Sequence, residues 1–221
     1  MSEIEYIELQ TGLDPTWSVI WLHGLGADGH DFEPVARQLG FQAAPSVRFI
    51  FPHAPVRPIT INGGMSMRGW YDIKGMAFDR EEDRQGLEHS AAIVRDLIAQ
   101  ENQRGVSTDH IVLAGFSQGG AVALFTGLRL EQPVAAIIAL STYLPVASSG
   151  EDEFASANQD TPIFMAHGTE DPVIQLVLAQ HSRGLLGQMQ YNVEWHTYNM
   201  PHAVSPEEIQ DIARFMHRIV N

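Results

Sequence analysis

Residues 111–120 read IVLAGFSQGG, an apolar stretch that runs into the pattern Gly-x-Ser-x-Gly centred on Ser117. This pattern predicts a strand, a sharp turn and a helix, which together lift the Ser117 hydroxyl above the edge of a sheet. Gly115 and Gly119 permit the strained backbone and the close approach of neighbouring elements that such a turn needs. The alternative, a serine in an ordinary glycine-rich turn or a helix N-cap, stays open until partners for Ser117 are found.

The rest of the chain alternates short apolar runs with longer helical patterns. Short runs rich in Val, Ile and Phe are typical of strands. The predicted strands cover Ile4 to Leu9, Ser18 to His23, Val47 to Phe51, His110 to Gly115, Val134 to Leu140, Ile163 to Gly168 and Tyr191 to Thr197. Several of them are nearly all apolar, which indicates a sheet with helices on both faces.

The helical patterns lie between these strands. The clearest spans about Asp83 to Gln103, where apolar residues recur every three or four positions. Others begin near Asp31, Gln118 and Pro172. The last begins at residues 205–208, where a serine, a proline and two glutamates have the spacing of a capping box. Strands alternating with helices predict one α/β domain over all 221 residues, with a mostly parallel sheet of about seven strands flanked by helices.

The composition excludes several classes of protein. The chain carries 27 acidic and 13 basic side chains, a formal net charge of −14, so neither nucleic acid nor an anionic membrane is expected as the main partner. Cysteine is absent, which excludes disulfides and a cysteine nucleophile. The first ten residues contain three glutamates and no basic residue, unlike a signal peptide, and the longest apolar run is far shorter than a membrane span. We therefore expect a cytoplasmic protein without stable membrane insertion.

One long segment, residues 52–79, shows no helical or strand periodicity and is rich in proline and glycine. Loops of this length in compact domains are usually functional or disordered. Its apolar side chains, which argue against disorder, are Met65, Met67, Trp70, Tyr71, Met76 and Phe78. We interpret the segment as a cover over an apolar binding cleft, with a loop that packs only on the core as the alternative.

A serine nucleophile needs a base, and on this type of scaffold the chain order is serine, acid, histidine. The histidines that follow the strand at Ile163 are His181, His196, His202 and His217. The first and the last lie in helical patterns, and the second lies in a predicted strand. His202 alone falls in a turn, just before the capped final helix. This elimination points to His202 as the base.

The candidate acid follows the strand at residues 163–168, whose end is expected at the same sheet edge as Ser117. Asp171 and Glu170 both lie there, and Asp171 precedes a proline, so it could instead cap the following helix. A short carboxylate side chain in a loop suits the orientation of an imidazole. Asp171 is therefore favoured over Glu170 as the acid.

Residues 23–29, HGLGADG, end an early strand and match the dinucleotide fingerprint Gly-x-Gly-x-x-Gly. That interpretation is rejected because the acidic residue expected at the end of the next strand is missing. The loop instead favours an oxyanion site made by the backbone N–H groups of Leu25 and Gln118. Four nearby residues could in principle bind a metal: His23, Asp28, His30 and Asp31. Their spacing does not match that of hydrolytic metal sites, so neither a metal nor a cofactor is predicted.

Five separate blocks of the sequence, in this order, resemble the bacterial carboxylesterase and acyl-protein thioesterase family, whose members are also described as lysophospholipases. The blocks are residues 23–29, residues 51–55 with 68–73, residues 115–120, residues 167–173 and residues 198–202. The resemblance implies the α/β-hydrolase fold. It places Ser117, Asp171 and His202 on the family's catalytic positions. It also places Leu25 and Gln118 on the family's oxyanion donors.

Two positions depart from the family pattern. His30 stands where members often have asparagine, and Met200-Pro201 replaces the more usual Met-Gly or Met-Ala before the histidine. Neither change removes a catalytic group. Both leave substrate preference open.

The residues and the resemblance together predict a serine hydrolase that cleaves carboxylic esters with short to medium acyl chains, with thioesters, acylated proteins and lysophospholipids as further candidate substrates. The residues expected to bind substrate are Met65, Trp70, Tyr143, Leu144 and Pro145. The alternatives are a non-catalytic scaffold that binds apolar ligands and a serine peptidase on the same fold. A homodimer is a further expectation from the resemblance and the apolar loop.

Overall fold

The apolar runs of the sequence form one central sheet in the computed structural model. The structure describes residues 4–41, 45–75, 82–146 and 154–220. The sheet contains β1 (Tyr6–Gln10), β2 (Trp17–Leu22), β3 (Val47–Pro52), β6 (Ile111–Phe116), β7 (Ala136–Leu140), β8 (Ile163–Gly168) and β9 (Val193–Tyr198). Two further strands, β4 (Val56–Ile59) and β5 (Met65–Arg68), form a separate pair.

The strands of the sheet follow the order β1-β3-β2-β6-β7-β8-β9. β1 runs antiparallel to β3, and the other neighbouring strands run parallel to each other. The prediction of seven strands in a mostly parallel sheet is therefore confirmed. Because the carboxyl ends of parallel strands meet at one edge, the loops after β2, β6 and β8 are brought together there.

Helices cover both faces of the sheet. They are α1 (Glu33–Ala36), α2 (Arg84–Gln103), α3 (Gln118–Gly127), α4 (Leu176–Gln188) and α5 (Pro206–Val220). Two clusters of buried apolar side chains result. The cluster that contains residues of α2, α3 and α4 also includes Ile20 and Leu113 of the sheet. The cluster that contains residues of α1 and α5 also includes Val19 and Val112 of the sheet. Alternate residues of β2 and β6 thus face two apolar clusters, which explains why these strands are nearly all apolar.

The predicted helix boundaries agree with the structure except at two places. α1 is a single turn, and α4 begins at Leu176 rather than near Pro172. Before this start, Asp171 Oδ1 accepts the N–H groups of Val173 and Ile174 in a turn, at 2.8 and 2.9 Å. This turn satisfies N–H groups that a helix would otherwise leave unpaired. None of the helices in the described residues has the length and apolar character needed to cross a bilayer.

The segment 52–79 is more regular than predicted over its described residues. β4 and β5 form an antiparallel hairpin, and the glycines at 63–64 adopt φ values of 67° and 78° in its connection, a region that glycine enters readily. Each strand has only four residues and one contains a proline, so no periodicity is visible in the sequence. Met76 and Phe78 lie outside the described residues.

The start of α5 contains the predicted capping box. Ser205 Oγ accepts the N–H of Glu208 at 3.1 Å, and Glu208 Oε2 accepts the N–H of Ser205 at 3.3 Å. The Glu208 side chain is completely buried, and its other oxygen has no hydrogen-bond partner among the described residues. Burial therefore raises the pKa of Glu208 to about 8.

We expect Glu208→Gln to stabilise the protein much more above neutral pH than at pH 5. A raised native pKa stabilises the folded state fully below the unfolded pKa, near 4.5, and this contribution is lost as the pH rises through about 8. Glutamine keeps the capping box without the titration. Urea unfolding at pH 5, 7 and 8.5 measures the difference, which should exceed about 1 kcal/mol at pH 8.5. A difference that stays constant with pH contradicts the assignment.

Candidate active site

Ser117 lies at the sharp turn between β6 and α3. Its backbone has φ 55° and ψ −119°, a conformation that non-glycine residues adopt only when the surroundings impose it. Here the Ser117 N–H donates to the Leu140 carbonyl at 2.8 Å. The Ser117 carbonyl accepts the Thr142 hydroxyl at 2.7 Å. The end of β7 and the residues after it therefore support the strained turn.

The glycines around Ser117 are required by close backbone contacts. A Cβ atom on Gly115 would overlap the backbone of Gly119, and one on Gly119 would overlap the carbonyl oxygen of Leu22. The first contact closes the turn on itself, and the second presses α3 against the end of β2. The Gly-x-Ser-x-Gly spacing thus places Ser117 and the loop after β2 side by side.

The structure brings together the three side chains that the sequence analysis selected. His202 Nε2 lies 3.0 Å from Ser117 Oγ, and His202 Nδ1 lies 2.6 Å from Asp171 Oδ2. With the Nδ1 proton donated to the carboxylate, Nε2 is free to accept the serine proton. The other histidines considered lie elsewhere: His181 in α4, His196 in β9 and His217 in α5.

Both oxygens of Asp171 are used. Oδ2 faces His202, and Oδ1 accepts the two N–H groups of the turn that precedes α4. The side chain has no exposed surface. Asp171 therefore combines the two interpretations left open by the sequence, because it caps a turn and orients the imidazole. Glu170 is exposed.

His167 is a residue beside the site to which the sequence analysis assigned no role. Its Nε2 donates to the Ile174 carbonyl at 2.8 Å and lies 3.4 Å from Asp171 Oδ2. Burial lowers the pKa of His167, so the ring stays neutral and braces the turn that holds Asp171. The available signal was the histidine four residues before Asp171, at the end of β8.

The loop after β2 is held rigidly from both sides. His23 Nδ1 donates to the Gly24 carbonyl at 2.7 Å, and His23 Nε2 accepts the Ala54 N–H at 3.0 Å. Burial lowers the pKa of His23 to about 4, in keeping with a neutral ring. The Gly26 N–H donates to the Arg68 carbonyl at 2.8 Å. Both nitrogens of His23 are thus committed to the backbone, and the ring serves the loop rather than a metal.

Ser117 opens onto a small cavity of about 80 Å³. Apart from Ser117 itself, its walls are formed by Leu25, Tyr71, Ile73, Gln118, Tyr143, Val173, Ile174 and Leu178. Gln118 is the first residue of α3, where backbone N–H groups have no partner within the helix. The two predicted oxyanion donors therefore share a cavity with Ser117.

The five predicted substrate-binding residues lie in different surroundings, and their role stays a prediction. Of the five, Tyr143 lines the cavity. Trp70, Leu144 and Pro145 are buried in the core, because a tryptophan or leucine beside the sheet edge gains more by packing inward. Met65 is on the surface of the hairpin, with 65% of its area exposed. The apolar wall formed by Ile73, Val173, Ile174 and Leu178 was not predicted.

A larger cavity of about 800 Å³ lies away from Ser117, Asp171 and His202. It is bordered by α2, the start of the described chain and the residues after β3, and its walls include His53, Arg68 and Asp96. None of Ser117, Asp171 and His202 is among the residues that line it. The candidate active site is therefore not at this larger cavity.

The fold and the site define a serine hydrolase of the α/β-hydrolase type: a mostly parallel sheet, a nucleophile elbow after a central strand, and a histidine and an acid on later loops. The family model described as phospholipase/carboxylesterase matches residues 7–220. The chain belongs to this family.

Known proteins similar to the chain include acyl-protein thioesterase 1 of Neurospora crassa, which is 44% identical over 213 residues, covering 91% of this chain and 86% of the relative. Acyl-protein thioesterase 1 of Yarrowia lipolytica is 39% identical over 206 residues, covering 91% of each. The crystal structure of Arabidopsis thaliana SOBER1 superimposes with a TM-score of 0.85 at 27% identity, over 93% of this chain and 99% of that chain. These relatives are fungal and plant proteins, so the similarity is not restricted to bacterial members.

Proposed function

We propose that the protein hydrolyses carboxylic esters and thioesters through an acyl-enzyme formed on Ser117. The observation that carries the proposal is the continuous line from Ser117 Oγ through the His202 ring to Asp171, with contacts of 3.0 and 2.6 Å. Membership of the phospholipase/carboxylesterase family supports the same chemistry.

The proposed reaction has two proton-transfer cycles. His202 Nε2 takes the hydroxyl proton of Ser117 while Oγ attacks the acyl carbon, and Asp171 stabilises the resulting imidazolium. His202 then gives this proton to the departing alcohol or thiol, which leaves the acyl group on Ser117. In the second cycle His202 deprotonates a water molecule that attacks the acyl carbon, and the proton returns to Oγ as the carboxylic acid leaves.

The Leu25 and Gln118 N–H groups are proposed to bind the oxyanion that forms in each cycle. Their positions support this role, because Leu25 lies in the loop that His23 braces and Gln118 begins α3. Both residues border the cavity beside Ser117. Donors held by a rigid backbone need no reorganisation as charge develops on the substrate oxygen.

The size of the cavity supports a short acyl group. Its volume of about 80 Å³ is well below the roughly 300 Å³ at the lower end of sites for drug-sized ligands. Its walls are mostly apolar, which suits a hydrocarbon chain rather than a charged one. The relatives named acyl-protein thioesterase 1 make S-acylated protein a candidate substrate, whose protein part would remain outside the cavity.

The substrate proposal is tested by kcat/KM for a series of p-nitrophenyl esters from acetyl to dodecanoyl, beside an S-acylated peptide and a lysophospholipid. We expect the value to peak between acetyl and hexanoyl and to fall by at least about tenfold at dodecanoyl, because the longer chain exceeds the cavity. A steady rise to dodecanoyl would contradict the short-chain proposal. Cleavage of matched amides at comparable rates would favour the peptidase, and absence of both turnover and fluorophosphonate labelling would favour the non-catalytic scaffold.

A homodimer and a cytoplasmic location stay predictions from the sequence. We propose the dimer from the family resemblance. Light scattering over a range of protein concentrations tests it, and a constant monomer mass would exclude it. Fractionation of the source cells tests the location.

A further inference from the structure

We propose that the Gln118 side chain is a positioning residue that sets acyl-chain preference by holding the segment Trp70–Ile73 against the first turn of α3. We call this segment the wall, because Tyr71 and Ile73 line the cavity. The inference rests on the proposed ester hydrolysis. It assigns to the side chain a role distinct from that proposed for the Gln118 backbone N–H.

The Gln118 amide makes two hydrogen bonds to adjacent backbone groups. Oε1 accepts the Trp70 N–H at 2.8 Å, and Nε2 donates to the Tyr71 carbonyl at 2.6 Å. The side chain is only 2% exposed, so both bonds are shielded from water. A residue with one acceptor and one donor at its tip is needed here, and glutamine is one of the few side chains that supplies both.

The segment held by Gln118 forms part of the cavity wall. Tyr71 and Ile73 line the cavity, and Tyr71 makes a hydroxyl contact of 2.7 Å with Tyr143, another lining residue. This segment lies directly after the short β5 strand and has no helix or strand structure between residues 69 and 75. Its position therefore depends on side-chain hydrogen bonds more than a sheet strand's would.

The same segment also contacts the loop after β2, which carries the proposed oxyanion donor Leu25. Trp70 Nε1 donates to the His23 carbonyl at 2.9 Å. A Cβ atom on Gly69 would lie 3.1 Å from a methyl of Leu25 and 3.6 Å from Gln118 Oε1. The wall thus packs between the loop after β2 and the start of α3. Gln118 joins the wall to the helix turn that carries the nucleophile, and so sets the distance between them.

Two substitutions of nearly the same size distinguish the effects of the two Gln118 hydrogen bonds, to the Trp70 N–H and to the Tyr71 carbonyl. Gln118→Glu keeps an acceptor for the Trp70 N–H but places a second oxygen against the Tyr71 carbonyl, which repels it. Gln118→Met keeps the length of the side chain and removes both bonds. Gln38→Glu is the matched control, because Gln38 also donates to a backbone carbonyl, at 3.0 Å, but is exposed and far from Ser117 in sequence.

The first measurement is the ratio of kcat/KM for a butyryl ester to that for an acetyl ester. The butyryl chain is long enough to lie along the wall, whereas the acetyl group remains near the oxyanion site. We expect both Gln118 variants to lower this ratio by about tenfold, mainly through KM for the butyryl ester, and Gln38→Glu to leave it unchanged. Variants that are less stable but keep the wild-type ratio would show a purely structural role and overturn the inference.

The second measurement is hydrogen exchange at the Trp70 amide. Gln118→Met should accelerate this exchange by at least about tenfold, and Gln118→Glu should accelerate it less, because the acceptor remains. In the wild-type protein, labelling of Ser117 with a butyl phosphonate should slow the exchange more than labelling with a methyl phosphonate. Equal effects of the two labels would overturn the inference even if neither variant folds.

Failure of the proposed function would look different. Wild-type protein without ester turnover or phosphonate labelling would remove the reaction itself, while Trp70 exchange in the variants would still report on the Gln118 contact. Normal turnover with an unchanged butyryl-to-acetyl ratio would remove only the positioning role.

Discussion

Replacing Ser117 by alanine is expected to lower kcat for ester hydrolysis by at least about a thousandfold. The Ser117 oxygen is the atom that lies 3.0 Å from His202 Nε2, and the proposed acyl-enzyme forms on it. Any remaining rate would come from substrate binding and the oxyanion donors, which the substitution leaves in place. Steady-state kinetics on acetyl and butyryl esters give the loss, and fluorophosphonate labelling of the wild type but not the variant assigns it to this serine.

Two controls make this result specific. Ser107→Ala removes an exposed hydroxyl outside the site and should retain wild-type kcat. Adding His202→Ala to Ser117→Ala should lower the rate little further, because groups that act as a unit are not additive. A Ser117→Ala protein that keeps a tenth of the wild-type kcat would dismiss the serine mechanism.

Gly119→Ala is expected to destabilise the protein severely, by at least about 3 kcal/mol. The added methyl would overlap the carbonyl oxygen of Leu22, which is backbone at the end of β2 and has little room to move. Relief requires α3 to shift from the sheet, which also displaces Ser117 at its first turn. Thermal and urea unfolding measure the loss of stability, and the folded fraction should lose activity as well.

The matched control is Gly184→Ala, which adds the same methyl to a helix glycine whose new Cβ would lie more than 4 Å from any atom outside its chain neighbours and its own helix backbone. This change should stabilise the protein by roughly 0.5–1 kcal/mol, because alanine loses less backbone entropy in a helix. A Gly119→Ala protein as stable as the wild type would mean that α3 does not press on β2 as described.

Much of the fold was predictable because its signals are local. The seven apolar runs became seven strands, and the serine three residues before Glu208 formed the capping box. The Ser117 elbow was also predictable, since strand, glycines and helix are consecutive in the chain. His202 and Asp171 followed from chain order and from the rule that parallel strands end at one edge.

The cavity walls were not predictable in the same way. Trp70 was expected to contact substrate but packs inward, and its indole N–H donates to the His23 carbonyl. Ile174 was not expected there, yet it lines the cavity from the turn that Asp171 holds before α4. Hydrophobicity predicts that such side chains are covered, but it does not say whether protein or substrate covers them.

The amino-acid sequence by itself determined the order of strands and helices and the strained serine turn, because these depend on neighbours a few positions apart. The tertiary structure alone decided the contacts of 3.0 and 2.6 Å that join residues 117, 202 and 171, and the glutamine that ties the cavity wall to α3. Those contacts join residues from about 30 to 85 positions apart, and their distances depend on how whole elements pack, which no short stretch of sequence encodes.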